Sequence, residues 1–598
     1  MSRREAILSA ALVFLVALAV RAWAATQITF PRPEDVAYYV GVARNLVEGR
    51  GLVSDAIWSF NTPPLAFPRP AFEVWLPLPS FLAAIPMALF GTTFAAAQLS
   101  SIVVGSMVCV LAWRLGADVA ATRSMSVGRS RTLALGAGLA SAVYLPLVLA
   151  SVQPDSTMPF AALVLVACLL MGRLLRPLTR PEIPSGGPTV LLEWARGVAR
   201  SRARDTLLLG ITLGLAALTR NEAIWLALTW AVVAWWVAGR AVAAGAVRPI
   251  RGISSVGRPV VNRSEITKFG QWWPSVVFVG LIAILVFAPW AYRDWVEFGT
   301  PFPGQALTNA LFLDGRDVFA WQDRPTLARY LAAGLPTLLE RRVDGTVHNL
   351  ANVLLLLGVP VSVVGLMGLP AAWGIGRRRT PGAVPDPGRS SANPLRPLIL
   401  FSVFTFAVAS LVFPVATTWG TFLHAAGAIH VLLVISALLV LDAVIGWVGR
   451  RRGWTRPVAW LGPAFAIAGC LLFSGVLLAE DGKASRGGAA HFGALAAALR
   501  DPAFALPLDA EPGPIITDVP IWLAESTGHH TLALPNEPAD SILDLAQRFD
   551  PPARLLVVST DNTGVWPGTI LAGEPRSECF VPLPLAVDDV LAFRIRCP

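Results

Sequence analysis

The sequence predicts a polytopic α-helical membrane protein that carries a small α/β domain at its carboxyl end. Of its 598 residues, 55% are hydrophobic and only 14% are charged, whereas soluble domains have about 25% charged residues. The net charge is +18 over residues 1–479 and −8 over residues 480–598. This division predicts basic cytoplasmic loops that contact anionic lipid rather than nucleic acid, and an acidic tail on the other side of the membrane.

About eleven apolar segments are predicted to cross the bilayer, although two of them, 205–219 and 222–239, are short. They cover roughly residues 5–25, 92–115, 132–151, 157–175, 205–219, 222–239, 273–292, 349–375, 398–419, 426–448 and 457–479. The first segment follows Arg3 and Arg4 and ends in small residues, which is also typical of a signal peptide. Because many segments of equal length follow, we interpret the first one as an anchor.

The apolar stretch 69–90 is predicted to lie at the membrane interface or to re-enter the membrane. Four prolines interrupt it, namely Pro70, Pro77, Pro79 and Pro86. A proline inside a helix costs about 3 kcal/mol, so this stretch is a poor straight span. Residues 26–91 are therefore predicted to form one large outer loop with interfacial helices.

The distribution of arginine predicts the orientation of the chain. With a cytoplasmic amino terminus, the loops 116–131, 176–204, 240–272, 376–397 and 449–456 face the cytoplasm, and each holds several arginines. The opposite loops carry acidic residues, among them Asp294 and Glu297. If residues 69–90 crossed the membrane, several basic loops would face out, against the positive-inside rule. We therefore predict a plasma (inner) membrane protein with its amino terminus inside and its carboxyl terminus outside.

Residues 480–598 are predicted to form a separate extracytoplasmic domain, after a transmembrane domain of residues 1–479. Strand-like and helix-like runs alternate there, in the order GPIITD, VPIWLAESTG, TLALP, ADSILDLAQRF and ARLLVVST. This alternation is typical of a small α/β unit. Outside the cytoplasm, Cys579 and Cys597 either form a disulfide or remain two free thiols.

Three acidic residues of the predicted outer loops are candidates for chemistry. Glu34 and Asp35 follow the first span and precede a helix-like run through residues 36–47, and Asp155 lies in the short loop before the span that begins near Thr157. The same residues are also suited to cap the helices they precede, since aspartate is a favoured N-cap residue. Both roles are compatible.

The candidate anion ligands are arginines, because only two of the 48 basic residues are lysines. Arg69 opens the proline-rich stretch, Arg220 lies between two short spans, and Arg293 ends a span. An arginine at membrane depth costs about 3 kcal/mol or more and usually faces a cavity or a partner. Three such arginines that converge on two acids would suit an anionic lipid headgroup. The alternatives are snorkelling or a local Arg220–Glu222 ion pair.

Histidine and cysteine provide little evidence for a metal or nucleotide site. His424 lies near an outer helix end, where a structural role is the alternative to ligand binding, and His430 is expected to be buried. No cysteine–histidine cluster has the spacing of a zinc site. There is also no phosphate-binding glycine loop, so a soluble nucleotide-sugar site is not supported.

Four motifs, in order, resemble the GT-C glycosyltransferases. EDVAYY-x-x-x-ARNL-x-x-G-x-G is similar to the first outer loop of the protein O-mannosyltransferase-like and aminoarabinose-transferase-like branch. RPAFEVWLPLPSFLAAIPMALFG resembles its interfacial helix, GLAALTRNEAIW its Leu-x-x-Leu-Thr-Arg element, and FAPWAYRDWVEFGTPFPGQ its Pro-Trp-x-x-Arg element. Together they cover roughly residues 1–320. Two positions depart from the family pattern, since Arg69 replaces a lysine and Asp294 an asparagine.

The resemblance implies inverting transfer of a hexose or pentose from a polyprenyl-phosphate carrier to an acceptor hydroxyl on the outer face of the membrane. It implies that Asp35 is the catalytic base, Asp155 a second site acid, and Arg69 and Arg220 ligands of the carrier phosphate. The partners would be the lipid-linked donor, membrane lipids and an acceptor glycan, lipid or protein. No cofactor is certain, and a divalent metal is compatible. The remaining residues of the predicted substrate site are Glu34, Tyr39, Glu222, Arg293 and His424.

Two other classes of function compete with this one. A transporter or flippase of a lipid-linked saccharide would share the many spans, but such proteins usually contain internal repeats, and none is evident here. A structural assembly subunit would use the acidic tail to dock partners. Cleavage of the sugar–phosphate bond distinguishes the enzyme from both.

Overall fold

The computed structural model describes residues 2–123, 125–175, 188–245, 272–303, 305–374, 393–455, 458–510, 512–560 and 575–597. Parts of the predicted cytoplasmic loops 176–204, 240–272 and 376–397 lie outside these ranges. In residues 2–245 the helices are α1 (Arg3–Gln27), α2 (Glu34–Val47), α3 (Leu78–Phe90), α4 (Phe94–Thr122), α5 (Val127–Val143), α6 (Leu145–Val152), α7 (Thr157–Leu174), α8 (Pro188–Ala217) and α9 (Ala223–Gly245).

The second half of the membrane part is also helical. Its helices are α10 (Trp272–Phe298), α11 (Gln305–Thr308), α12 (Leu327–Ala332), α13 (Gly334–Val347), α14 (Val361–Trp373), α15 (Leu395–Leu411), α16 (Thr421–Ala425), α17 (Gly427–Arg451) and α18 (Leu461–Arg500). A π-helical segment, His348–Leu355, and a 3₁₀ turn, Leu356–Gly358, connect α13 to the proline that precedes α14.

Among the described residues, six helices are long and apolar enough to cross a membrane, or eight if each of two bent helix pairs is one span. Three shorter apolar helices accompany them, and α3 is one of these. The stretch predicted to be interfacial thus forms a helix of 13 residues with Pro86 inside it. The predicted total of about eleven spans and their orientation stay predictions.

Two of the predicted spans are sharply bent rather than straight. Helices α5 and α6 meet at 55°, and the helical stretch 334–358 meets α14 at 112°. Pro146 lies in the first turn of α6, and Pro360 precedes α14 as its N-cap residue. Because proline lacks an N–H group, it is tolerated at a helix start but interrupts a continuous helix. The segments 132–151 and 349–375 therefore each contain a break that their hydropathy does not show.

Arg21 is buried at the first of these breaks, in the middle of the apolar helix α1. It is 0% exposed, and its Nε donates to the Ser151 hydroxyl at 2.9 Å. Its Nη atoms donate to the carbonyls of Ala142 and Leu147, which flank the break, at 3.1 and 3.4 Å. A helix break leaves a carbonyl such as that of Ala142 without its intrahelical partner, whereas the Leu147 carbonyl also accepts from the Ser151 hydroxyl. Arg21 thus supplies hydrogen-bond donors at the break between α5 and α6. Helix α6 in turn leads to the loop of Asp155.

The carboxyl-terminal part folds as the predicted α/β unit. Strands β4 (Ile515–Thr517), β5 (Thr531–Ala533) and β6 (Leu555–Ser559) alternate with helices α19 (Pro520–Thr527) and α20 (Ala539–Gln547). Antiparallel strands β7 (Phe580–Leu583) and β8 (Val590–Ile595) complete it. Cys579 and Cys597 form a disulfide, which confirms the first of the two alternatives.

The sheet is covered on both faces, because alternate residues of a strand point in opposite directions. On β6, Leu556 and Val558 pack into one hydrophobic core, while Leu555 and Val557 pack into another. The second core includes Phe492 and other residues of the last turns of α18, which runs without interruption to Arg500. The predicted boundary at residues 479/480 thus falls inside a helix that reaches the sheet, and the domain boundary stays a prediction.

The first outer loop contributes a strand to this carboxyl-terminal sheet. Strand β2 (Ala56–Ile57) pairs in parallel with β5, giving the order β2-β5-β4-β6-β8-β7. Its neighbours β1 (Val53–Ser54) and β3 (Arg69–Pro70) form a separate antiparallel pair within the loop. The sequence predicts two separate domains for these segments, because no local pattern reveals that two strands so far apart along the chain pair with each other.

Helix α2 faces α19 of the carboxyl-terminal unit along one side. One Glu34 carboxylate oxygen accepts from the backbone N–H groups of Ile521 and Trp522 at 3.1 and 3.2 Å, at the start of α19. One turn from the other end, Arg44 makes a bidentate ion pair with Glu525 at 2.5 and 2.9 Å. Burial of the Glu34 carboxylate against α19 raises its pKa to about 8, although the two N–H groups oppose this shift.

The Arg21→Leu variant is expected to unfold at a lower temperature than the wild type in detergent. It leaves the Ala142 carbonyl without this buried donor, and an unpaired buried group costs about 1–3 kcal/mol. Arg4→Leu, at an exposed position of the same helix, is the matched control. Equal melting temperatures for the two variants would contradict the assignment of Arg21 to the helix break.

The Glu34→Gln variant is expected to change the pH dependence of stability. The folded-state pKa of Glu34 is about 8 against an ordinary value of 4.5, so the folded chain binds this proton more tightly than the unfolded chain. The resulting stabilisation is present below pH 4.5 and is lost as the pH rises through about 8. The variant keeps an acceptor oxygen without a titrating proton, so wild-type stability should fall relative to it between pH 5 and 9. A melting-temperature difference that is independent of pH argues against the burial of this carboxyl group.

Candidate functional site

Asp35 lies in the first turn of α2, with its side chain 27% exposed. The helix begins at Glu34, its N-cap residue is Pro33, and no side chain caps it. The capping role considered for the two acids is therefore wrong, because both lie inside the helix rather than before it. A negative charge in the first turn is still favoured by the partial positive charge of the helix amino terminus.

Asp155 lies between α6 and α7, one residue before Ser156, which is the N-cap residue of α7, so the predicted N-cap role of Asp155 is wrong. One carboxylate oxygen accepts from the Thr157 backbone N–H at 2.7 Å, and the other accepts from the Thr157 hydroxyl at 2.9 Å. Gln98 supports the same loop, because its side-chain amide donates to the carbonyl of Val152 at 2.8 Å. The Asp155 side chain is only 4% exposed, so it faces protein groups on every side.

His424 joins the two aspartates. Its Nδ1 lies 2.9 Å from Oδ2 of Asp155, and its Nε2 lies 3.3 Å from Oδ2 of Asp35. Burial would lower the pKa of this imidazole, but the hydrogen bonds and charges of the two aspartates outweigh burial and raise the pKa to about 9. At neutral pH, His424 is therefore a cation between two carboxylates, and not the isolated structural histidine considered above.

The backbone before His424 depends on a glycine. Gly420 has a φ of +105°, and a Cβ atom placed on it would lie 3.3 Å from Nε2 of His424. This left-handed conformation is accessible to glycine and strained for residues with a Cβ atom. Gly420 thus permits the turn into α16 that brings the imidazole to Asp35.

Arg220 lies beside this row of charges rather than at its centre. Its guanidinium forms the predicted pair with Glu222, at 2.8 and 3.0 Å. It also donates to the Ser156 hydroxyl at 2.9 Å and to the Thr421 carbonyl at 3.0 Å. Burial tends to lower the pKa of this arginine, but the attraction of Glu222 raises it overall. Arg220 thereby connects the Asp155 loop to the helix that carries His424.

Tyr39 faces the same side of α2 as Asp35. The phenol is 1% exposed and hydrogen-bonds to Ser156, and burial raises its pKa. The side-chain hydroxyl of Ser80 donates to the Tyr39 carbonyl at 2.9 Å and fixes α3 against α2. Tyr39 is therefore part of the wall that holds the two acids, as its place in the predicted site requires.

Arg69 and Arg293 form a second cationic group around the neighbouring residue Tyr38. Both guanidinium groups lie near the ring of Phe298, at 5.9 and 5.3 Å from its centroid. Arg293 donates to the Ala71 carbonyl at 2.7 Å. The predicted convergence of three arginines is thus only partly observed, because Arg220 lies beside the Asp155 loop and pairs with Glu222, while Arg69 and Arg293 cluster separately.

Arg69 is 1% exposed, and only part of its buried guanidinium group has hydrogen-bond partners among the described residues. One Nη atom pairs with Glu73 and donates to the Thr62 carbonyl at 2.7 Å. Its Nε and its other Nη atom find no hydrogen-bond partner among the residues that the structure describes. Burial lowers the pKa of Arg69 to about 10. Glu73 is not among the predicted site residues, although an acidic residue four positions after an arginine is a local signal of an ion pair.

Glu34, the other acid of the predicted pair, points to the carboxyl-terminal unit as described above, and not to the imidazole. Arg293 also contacts Asp294 at 3.1 Å.

Within the described ranges, no group of three or more histidine, cysteine, aspartate or glutamate side chains is arranged to hold a metal ion. The compatibility of the site with a divalent metal stays an expectation.

Comparison with known proteins identifies no relative by sequence. No family model matches the chain, and no curated protein matches it.

Solved structures share the fold at low sequence identity. ArnT from Cupriavidus metallidurans bound to undecaprenyl phosphate is similar with a TM-score of 0.50 and 14% identity, over 98% of this chain and 99% of that one. The oligosaccharyltransferase AglB from Archaeoglobus fulgidus, in complex with an inhibitory peptide and a dolichol-phosphate, gives a TM-score of 0.50 and 12% identity over 93% and 69% of the two chains.

A second structure of the Archaeoglobus fulgidus oligosaccharyltransferase, tethered with an acceptor peptide that contains the NVT sequon, gives a TM-score of 0.51 and 14% identity. It covers 98% of this chain and 74% of the other. At such identities the likeness shows the fold. The chain is therefore a multi-pass helical membrane protein with the GT-C fold that the order of its motifs predicted.

Proposed function

We propose that this chain is a membrane glycosyltransferase that moves a sugar from a polyprenyl-phosphate carrier to an acceptor hydroxyl, with inversion at the sugar carbon. The observation that carries the proposal is the exposure of Asp35, at one end of a row of charges whose other members are buried. Its side chain is 27% exposed, against 5% for His424 and 4% for Asp155. Asp35 is thus the acid of this row that a substrate can reach.

Asp35 is suited to act as the general base. A hydroxyl is a poor nucleophile until a carboxylate takes its proton, and such catalysis contributes about 10²–10⁴-fold to the rate. An inverting displacement also needs the base on the face of the sugar opposite the leaving group. Asp155 has both oxygens engaged by Thr157 and His424, so we assign it to support of the row rather than to direct contact with the acceptor.

The arginines are suited to stabilise the leaving phosphate. Arg69 offers two buried N–H groups without a partner among the described residues, and a phosphate oxygen is a strong acceptor for them. Arg293 lies beside it over the same phenylalanine ring. Arg220 already donates to Glu222, Ser156 and Thr421, so it must exchange a partner before it binds the carrier. These contacts favour Arg69, with Arg293, as the first ligand of the carrier phosphate.

The structural neighbours support the class of donor. ArnT is described as bound to undecaprenyl phosphate, and AglB as bound to a dolichol-phosphate. Both ligands are lipid phosphates of the polyprenyl type. The predicted orientation of the chain places α2 and the carboxyl-terminal unit on the extracytoplasmic side of the plasma membrane, where the acceptor would be bound.

The Asp35→Asn variant is expected to lose transfer by about 10²-fold or more, because it removes the general base. Lipids that copurify with the wild type, identified by mass spectrometry, provide the donor for a transfer assay in proteoliposomes. Glu48→Gln, which removes an exposed carboxylate just after the same helix, is the control and should retain activity. Near-normal transfer by Asp35→Asn excludes Asp35 as the base. If the wild type moves the lipid-linked sugar across the bilayer with its glycosidic bond intact, the transporter hypothesis is correct.

A double variant tests the phosphate ligand without leaving an unpaired buried charge. Arg69→Met combined with Glu73→Met removes both members of the buried pair, and such replacements are often tolerated. Because the charged donors for the phosphate are lost, we expect about tenfold less polyprenyl phosphate to copurify, as quantified by mass spectrometry. The control is Arg50→Met, at an exposed ion pair of the same loop. Undiminished lipid in the double variant would assign the phosphate to Arg220 instead.

A further inference from the structure

The row of Asp155, His424 and Asp35 joins three segments that are far apart in the chain. Asp35 comes from α2, Asp155 from the loop before α7, and His424 from α16, which is 269 residues away from Asp155. All three side chains meet through single nitrogen–oxygen contacts of 2.9 and 3.3 Å. A contact of this kind fixes the relative position of the segments as well as the charges.

The geometry determines the protonation of the imidazole. A carboxylate is an acceptor only, and each imidazole nitrogen faces one. Nδ1 hydrogen-bonds to Asp155, whereas Nε2 forms an ion pair with Asp35 at 3.3 Å without the geometry of a hydrogen bond. A proton on both nitrogens, which makes His424 an imidazolium, suits both contacts. The Thr157 hydroxyl, 3.0 Å from Nδ1, already donates to Asp155 and so leaves the Nδ1 proton to the aspartate. The raised pKa of His424, about 9, agrees with this assignment.

We propose that His424 is a positioning residue, which, oriented by Asp155, holds Asp35 through the ion pair at its Nε2 and leaves one oxygen of Asp35 free for the acceptor hydroxyl. The proposal rests on the proposed role of Asp35 as the base. It deepens that role, because a carboxylate that rotates freely on an exposed helix start presents no defined oxygen to the hydroxyl.

In the chemical step, no proton moves between Asp155, His424 and Asp35. The acceptor oxygen forms a bond to the sugar carbon, and the bond from that carbon to the phosphate oxygen breaks with its electron pair on the phosphate. The hydroxyl proton moves to the free oxygen of Asp35. His424 keeps both of its protons throughout and holds Asp35 in place.

The charged groups near His424 come from three packed segments. Asp35 and the phenol of Tyr39 belong to α2, and Asp155 belongs to the loop before α7. Arg220 approaches from the connection between α8 and α9 and binds the Thr421 carbonyl of α16, while Glu222 neutralises it. With Arg220 paired to Glu222, the two aspartates determine the charge that the imidazole experiences.

The first experiment measures the titration of His424 directly, by NMR of the full-length chain in nanodiscs with isotope-labelled histidine. The chain has six histidines, and His424→Gln assigns the resonance. We expect His424 to titrate well above the ordinary value of about 6.5. Its pKa should fall in Asp35→Asn and in Asp155→Asn, because each removes one of the two charges. An unchanged pKa in Asp35→Asn overturns the proposal.

This titration needs neither donor nor acceptor, so its result is independent of the proposed function. If the pKa of His424 is the same in the wild type and in Asp35→Asn, the positioning role is wrong, even if Asp35→Asn abolishes transfer. Conversely, normal transfer by Asp35→Asn contradicts the general base even if the titration shows the contact. The two failures are therefore distinguishable.

The second experiment is the pH profile of transfer, with the donor identified as above. Because His424→Gln removes the cation beside the proposed base, we expect the acidic limb of the profile to move to higher pH in this variant. A residue that acted on folding alone would lower the rate without moving this limb. His491→Gln, a half-buried histidine on α18, is the control. If His424→Gln does not fold, Asp155→Asn gives the same test, and an acidic limb that stays in place overturns the proposal.

Discussion

The contact between the His424 imidazolium and its two carboxylates is the interaction on which the arrangement of the site depends. A buried cation is stable only when opposite charges and hydrogen bonds compensate for its lost hydration. Here the two aspartates come from different segments, so the compensation is complete only when all three segments are in place. The loop of Asp155 is in turn supported by Gln98 and by the helix break at Arg21.

Helix α2 connects this row to the carboxyl-terminal unit, because its two sides face different partners. Asp35 and Tyr39 face the membrane part, whereas Glu34, Gly41 and Arg44 face α19. A cleft of about 120 Å³ lies along the second side, lined by residues of both segments. A Cβ atom on Gly41 would lie 3.4 Å from the Glu525 carboxylate, which shows how closely α2 and α19 approach. Movement of the carboxyl-terminal unit therefore moves the helix that carries the proposed base.

The partly or fully buried charges around α2 and the site are almost all paired, as the low dielectric constant of their surroundings requires. Arg44 pairs with Glu525, Arg220 with Glu222, and Arg69 with Glu73. Arg69 differs from the other two, because two of its nitrogens stay without a partner among the described residues. An unsatisfied cationic donor in a buried place is costly, and a bound anion would remove that cost. This difference among otherwise similar pairs supports Arg69 as the ligand of the carrier phosphate.

The sequence by itself determined the features that depend on local periodicity and on neighbours along the chain. Apolar runs predicted membrane helices, alternating patterns predicted β4, α19, β5, α20 and β6 but not β7 or β8, and adjacency predicted the Arg220–Glu222 pair. Only the tertiary structure decided which acid of the Glu34–Asp35 pair meets His424, that Arg69 is paired with Glu73, and that β2 joins the carboxyl-terminal sheet. A helix or strand repeats over a few residues, so its pattern is visible locally. Contacts between segments hundreds of residues apart depend on how those segments pack, and no local pattern records that packing.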